Sequence, residues 1–240
     1  FNWMERNVII SGTGSGVGKA LASLMLSKGY MVVGISRKNS ITNTNFNFIK
    51  ADLSNEKKLL SLKIPSFVNS KHTILVNNAG DIGEIKPLGR RDNKEIILEY
   101  MVNIIAPTII LNKFLAKIKK QSNTKHTLIN ISSGAAFRPI TSWSTYCASK
   151  SALKMLNSCI NEEFNNLKSF SISPGIIDTD MQLKIRSAKE EEFPLLENFK
   201  NYHKNGDLEK AEDIAMKILY VIENQENFES NELLLREISI

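Results

Sequence analysis

Tyr146 and Lys150 stand four residues apart in a run that reads as helix, so their side chains share one face. That pairing does acid–base work: a nearby ammonium favours phenolate and is expected to pull the tyrosine down from about 10, making its proton transferable near neutrality. Either residue alone has an ordinary alternative, a core tyrosine or a solvated lysine. Further upstream, Asn103 lies four residues before Pro107. Pro107 has no amide hydrogen, so the carbonyl of residue 103 is expected to lose its helical partner and become available to a water. A kink with a capping Asn is the other reading.

A second constellation suits phosphate. Ser11-Gly12-Thr13-Gly14-Ser15-Gly16-Val17-Gly18 follows an apolar strand and opens a helical run from Lys19 to Lys28. Gly12 serves the tight turn, Gly16 lets backbone approach a pyrophosphate, and Gly18 lets the helix pack closely on the strand. It is not a Walker A loop, because Gly18-Lys19 is followed by Ala20 rather than Ser or Thr. At the end of the second strand, where an NAD site carries an acid for the ribose hydroxyls, this chain has Ser36-Arg37-Lys38. A guanidinium and a hydroxyl suit a 2′-phosphate, so NADP(H) is expected over NAD(H).

These groups need a scaffold that brings them to one edge. Short apolar runs at 8–10, 30–35, 46–50, 73–76, 127–131 and 169–173 alternate with helical stretches near 17–28, 55–62, 92–120, 143–165 and 209–223. Strand then helix, repeated, with continuously apolar strands, predicts an α/β fold: a Rossmann-type doubly wound parallel sheet of about seven strands with helices on both faces. No Pro/Gly/Ser-rich linker divides the 240 residues, so one domain spanning 1–240 is expected. Residues 181–206 break the rhythm beyond the sixth strand, at the end of the sheet where ligands bind, and are expected to form a substrate lid. A packed surface excursion is the alternative.

Composition narrows the function classes. Apolar residues at 42% and charged residues at 23% argue against a disordered or fibrous chain. The net charge is +6, but the densest basic stretch, Lys113, Lys117, Lys119, Lys120 and Lys125, has no interleaved aromatics. It reads as a solvated face at a helix C-terminus, so no nucleic-acid partner is expected. His72, His126 and His203 are scattered and lack cysteine partners, which leaves no metal-ligand spacing. Cys147 and Cys159, roughly 18 Å apart along one helix, cannot pair. No uninterrupted apolar segment approaches the roughly 20 residues a membrane helix needs, and no signal-peptide pattern is present, so no membrane partner and a cytoplasmic location are expected.

With these residues in place, the chain resembles the short-chain dehydrogenase/reductase family over nearly its whole length. The glycine turn matches T-G-x-x-x-G-x-G with Ser11 in the Thr position; Asp52-Leu53 matches the adenine-contacting pair, and Asn77-Asn78-Ala79-Gly80 matches N-N-A-G. Asn103, Ser132-Ser133, Tyr146-Cys147-Ala148-Ser149-Lys150 and Pro174-Gly175 followed by Thr179 complete the series in the family's order. The resemblance implies a catalytic group of Ser133, Tyr146, Lys150 and Asn103. Tyr146 would donate the proton in carbonyl reduction, Ser133 would hydrogen-bond the substrate carbonyl, and Asn103 would support a water relaying protons to Lys150. It also implies that NADP(H) is held by Gly12, Ser15, Gly16, Val17, Gly18, Ser36, Arg37, Asp52, Leu53, Asn78, Ala79 and Gly80. Tyr146, Lys150, Pro174, Gly175, Ile177 and Thr179 would hold its nicotinamide end.

Within the family, Trp143 to Lys150 and Ser173 to Gln182 look closest to the sepiapterin reductase and benzil reductase branch, through Y-C-x-x-K and P-G-x-x-D-T-x-M-Q. That branch reduces vicinal dicarbonyls with NADPH. Residues 225–240 contain no Asp to anchor a pterin guanidine, with Glu237 the only stand-in, so a hydrophobic, benzil-like small molecule is the expected substrate. A 3-oxoacyl-carrier-protein reductase and a non-catalytic NADP(H) sensor are the alternatives. Helices 92–120 and 143–165 are apolar on more than one face and are expected to pair across a two-fold axis, giving a homodimer or homotetramer.

Overall fold

In the computed structural model, which describes residues 5–67, 70–119, 121 and 124–240, the chain builds a seven-stranded sheet. The strands are β1 (Arg6–Ser11), β2 (Met31–Ser36), β3 (Phe46–Lys50), β4 (His72–Asn77), β5 (Lys125–Ile131), β6 (Leu167–Ser173) and β7 (Glu232–Leu234). They lie in the order β3-β2-β1-β4-β5-β6-β7, every pair parallel. The α-helices are α1 (Gly16–Ser27), α2 (Glu56–Ser61), α3 (Asn93–Tyr100), α4 (Ala106–Ile118), α5 (Ser144–Glu163), α6 (Asp180–Arg186), α7 (Leu196–Lys204) and α8 (Ala211–Glu223). Lys120 of the basic stretch lies outside the described residues.

The sheet is wound on both sides because its strands are apolar on both sides. Val8 and Ile10 of β1 share a cluster with Val32, Ile74, Ile129 and Phe170, and with Leu21 and Met25 of α1 and Ile214 and Ile218 of α8. Ile9, between them, turns the other way with Val33, Leu75 and Leu128, against Leu59 of α2, Ile110 and Phe114 of α4 and Ile160 of α5. Alternation of successive side chains feeds two cores from one strand. The strand order reverses between β1 and β4, which leaves a crevice beyond their carboxyl ends.

The stretch 92–120 is not one uniform helix. Met101–Ile105 form a π turn between α3 and α4, closed by the Ala106 amide donating to the Met101 carbonyl five residues back. Pro107, in the first turn of α4, supplies the reason: it cannot donate to the carbonyl of residue 103, and the chain widens by one residue there. By length and composition the combined run Asn93–Ile118 is apolar enough to cross a bilayer. Here Ala106, Ile110, Leu111, Phe114 and Ile118 are buried in the second core cluster. The seventh strand is three residues of the tail, Glu-Leu-Leu, added beside β6.

Candidate active site

The glycine turn, the ends of β2 and β4, and the start of α6 enclose a cleft of about 760 Å³. Of the residues expected to hold a cofactor, Gly12, Ser15, Ser36, Arg37, Asp52, Leu53, Asn78, Ala79, Gly80 and Thr179 line it, with Gly14, Lys38 and Asp81 added by the structure. Gly16, Val17, Gly18, Tyr146, Lys150, Pro174, Gly175 and Ile177 do not line it. Val17 is instead buried in the first core cluster, with Ile177 packed against that cluster. A methyl on Gly18 would come within 2.3 Å of the Gly12 carbonyl oxygen, so this glycine brings helix onto strand. Gly12 has φ +80°, and a Cβ there would meet Asn78 Nδ2 at 2.8 Å. Bare backbone at this turn is what a pyrophosphate needs, and the chain's own packing demands it as well.

One hydroxyl ties the cleft floor together. Ser11 Oγ accepts from the amides of Asn78 and Ala79 at 3.0 and 3.1 Å, while Asn78 Nδ2 donates to the carbonyls of Ser11 and Gly12 at 3.0 and 3.3 Å. At the far end, Arg37 and Lys38 are exposed on the cleft wall. Asp52 accepts from the Ser54 hydroxyl and amide, and these bonds, with the Arg37 guanidinium nearby, hold its carboxyl below the usual range.

The four expected catalytic residues meet beyond Gly80. A Cβ on Gly80 would stand 3.5 Å from Asn103 Oδ1 and 3.7 Å from Lys150 Nζ. Asn103 is fully buried in the π turn; its side chain accepts from the Asp81 amide at 2.8 Å and donates to the Asp81 carbonyl at 2.7 Å. Lys150 donates to the Ile131 carbonyl at 2.8 Å and lies 5.6 Å from the centre of the Tyr146 ring. Ser133, at the end of β5, accepts from the Ala135 amide and also acts on the Tyr146 phenol, favouring its ionised form.

The expected lowering of the tyrosine is not what this geometry produces. Burial pushes the Tyr146 phenol up to about 12, Ser133 only partly opposes it, and Cys147, then Glu99 and Asp81, add to the rise. Burial also pushes Lys150 down to about 8. The ammonium that should favour phenolate is itself desolvated, bonded to a carbonyl and 5.6 Å from the ring centre. The phenol is therefore a protonated, buried acid.

Beside Tyr146 the walls are apolar. Ile82, Ile85, Ala135, Trp143, Ile185, Phe193 and Leu196 form a third cluster with it. Trp143 stacks on Phe193 at 5.7 Å between centroids and meets Tyr146 edge-on at 5.8 Å. The 181–206 segment supplies Ile185, Phe193 and Leu196, so it folds down onto the tyrosine. Lys184 of α6 also reaches Asp81 across the cleft at 2.8 Å. Just before α5, Ser142 takes a positive φ of 68° and its hydroxyl donates to the Glu192 carbonyl. Glu237, by contrast, is exposed beside Arg236 and does not line the cleft.

Sequence reasoning missed Asp81, which directly follows the Asn77–Gly80 motif, and a buried pair, Arg91 and Glu99, bridged by Thr145. Adjacency to the motif was a usable signal for Asp81. Nothing in the local pattern marked the pair.

Comparison with known proteins places the chain. The short chain dehydrogenase profile matches residues 6–190. A benzil reductase ((S)-benzoin forming) of Bacillus cereus is 32% identical, over 92% of this chain and 95% of its own. Among solved structures, a short chain dehydrogenase/reductase from Saccharomyces cerevisiae superposes with a TM-score of 0.80 at 20% identity, covering 97% of this chain and 96% of that one. A 4-hydroxyisoleucine dehydrogenase complexed with NADH gives 0.75 at 28% identity, over 95% and 96%. The glycine turn, the Asn78–Gly80 floor and the gathering of Ser133, Tyr146, Lys150 and Asn103 agree with these matches: the chain belongs to the short-chain dehydrogenase family of nicotinamide-dependent oxidoreductases.

Proposed function

We propose that this chain is an NADPH-dependent carbonyl reductase acting on one carbonyl of a hydrophobic vicinal dicarbonyl, with Tyr146 as proton donor. The observation that carries the reading is a buried, protonated phenol set among apolar and aromatic side chains, with its Lys150 and Asn103 neighbours standing beside Gly80 of a nucleotide-sized cleft. Likeness to a benzil reductase over almost the full length supports the substrate class. Arg37 and Lys38 on the cleft wall, with no acid at the end of β2, support the 2′-phosphate.

The residues fit the cofactor: a glycine turn with no room for side chains, a floor fixed by Ser11 and Asn78, and cations at the ribose end. NADPH, when bound, supplies the hydride. The chain's own groups do the rest. Ser133 Oγ–H orients the carbonyl oxygen, and Tyr146 Oη gives it a proton as the C–O bond gains charge. With a value near 8, Lys150 is poised to hold or release a proton close to neutral pH and so to resupply the phenol. Trp143, Phe193 and Ile185 exclude water from that exchange. The 181–206 segment acts as the lid, and Ile97, Ile105 and Met155, large and exposed on the expected pairing helices, would be covered in a homodimer or homotetramer.

NADPH oxidation with benzil, sepiapterin and an acetoacetyl thioester tests the reading. Turnover of benzil is expected, lost in Tyr146→Phe, and Arg37→Ala should weaken NADPH much more than NADH. Turnover of the thioester alone would move the assignment to oxoacyl reduction. No turnover of any of them, with Tyr146→Phe equal to wild type, removes it.

A further inference from the structure

The first turn of α5 is tied to α3 by charges that the mechanism above does not use. Glu99 Oε2 accepts from Arg91 Nη2 at 2.6 Å and from the Thr145 hydroxyl at 2.8 Å, and Arg91 Nη1 donates to the same hydroxyl. Both charged side chains are 1% exposed. A buried ion pair is an expensive way to hold two helices together, since removing both charges from water offsets most of their attraction. Its position suggests what it serves. Thr145 immediately precedes Tyr146, and α3 leads directly into the π turn that carries Asn103.

Gly83 adds a second constraint. It has φ +66°, and a Cβ there would fall 2.0 Å from Glu99 Oε2 and 2.8 Å from Arg91 Nη2. The loop beyond Asp81 thus presses bare backbone onto the carboxylate. Glu99 Oε1 and Arg91 Nε remain buried without a hydrogen-bond partner among the described residues.

Resting on the reading of Tyr146 as proton donor, we propose that Glu99, locked by Arg91, is its positioning residue. The carboxylate fixes the Thr145 hydroxyl and with it the first turn of α5, and its negative charge stands against ionisation of the adjacent phenol. The groups facing Tyr146 are Cys147 and Lys150 on α5 itself, Ser133 beyond β5, Asp81 beyond β4 and Glu99 on α3. Glu99 in turn faces Arg91, Thr145 and Asp81; burial pushes its carboxyl up, and the bonds from Arg91 and Thr145 are what oppose that and hold the carboxylate. Of the acids near the phenol, Glu99 is the one held on the helix that packs against Tyr146's own turn.

Fluorine NMR of fluorotyrosine-labelled full-length chain, with Tyr146→Phe assigning the signal, titrates this phenol without substrate. In Glu99→Gln the midpoint is expected to fall by roughly one unit, the scale on which one neighbouring charge acts in a buried site. The shift should show in the phenol's own titration and not in the kcat limb set by Lys150 near 8, while KM stays within about twofold. Should the unpaired Arg91 unfold that variant, Arg91→Met/Glu99→Met removes both charges and still lowers the midpoint. Thr145→Val keeps the charges and should cut kcat without moving the titration. A phenol that titrates as in wild type in both Glu99 variants overturns the proposal. A wild-type chain that reduces no carbonyl removes the assigned reaction, whereas a shifted phenol would still uphold the role of Glu99.

Discussion

Replacing Lys150 with Met separates the chemical value of this lysine from its structural cost. The side chain is buried, and burial lowers its value from 10.5 to about 8. At about 1.4 kcal/mol per unit, carrying the charge at neutral pH costs the folded chain roughly 3 kcal/mol. The hydrogen bond to the Ile131 carbonyl is lost in Lys150→Met, but that loss of about 1–3 kcal/mol does not depend on pH, so the comparison across pH isolates the charge. The folded value lies below the unfolded one, so the folded chain binds fewer protons and wild type gains stability as pH rises through 8 towards 10.5. Urea unfolding of both chains at about pH 7 and about pH 10 should show wild type gaining roughly 2–3 kcal/mol on the variant between them. Carbonyl reduction should be lost at both. A stability difference that stays constant across this range would show that Lys150 is not desolvated as described, and its role as a proton reservoir near neutrality would fall with it.

Gly12→Ala forces a left-handed residue to carry a Cβ 2.8 Å from Asn78 Nδ2 and 2.9 Å from Ala79 Cα. It should cost about 1–3 kcal/mol in urea unfolding and weaken nucleotide binding measured by titration; unchanged values for both would contradict the described floor. At the opposite end of the sheet, burial pushes His72 down to about 4, aided by Lys125 and His126, where its Nε2 meets the Thr127 hydroxyl at 2.7 Å. Its contribution is intact above about pH 6.5 and is lost as pH falls towards 4, so unfolding free energy should drop by about 3 kcal/mol over that window. His72→Gln should flatten that slope, and a slope of the same steepness in the variant would assign the acid sensitivity elsewhere.

What was legible in the sequence was local. The turn from Gly12 to Gly18 and the Asn77–Gly80 segment announce themselves because their backbone requirements sit in consecutive residues, and the two-sided strands announce themselves because burial on both faces leaves no polar alternation. The π turn was half legible: Pro107 predicted a disturbed carbonyl at residue 103, but whether the chain kinks or widens depends on how α3 and α4 pack on the sheet. Glu232–Leu234 is too short and too plain to read as a strand, and it exists because β6 offers an edge. Nothing in the sequence marks Arg91 and Glu99, because only tertiary contact with Thr145 and Gly83 buries them. The direction of the Tyr146 shift failed for the same reason. Spacing shows that a lysine is near a tyrosine, not that both have left water.

Ser11 occupies a position that its relatives' motif writes as threonine, and its bonds say what that position asks for. A single oxygen on Cβ accepts two backbone amides of the next strand's exit loop and lies 3.5 Å from the Val76 carbonyl. No branching methyl takes part in any of these bonds. The position thus calls for a hydroxyl and is closed to alanine, which would strand two amides beneath the cleft. Variation at this site should follow the oxygen, whatever the rest of the side chain does.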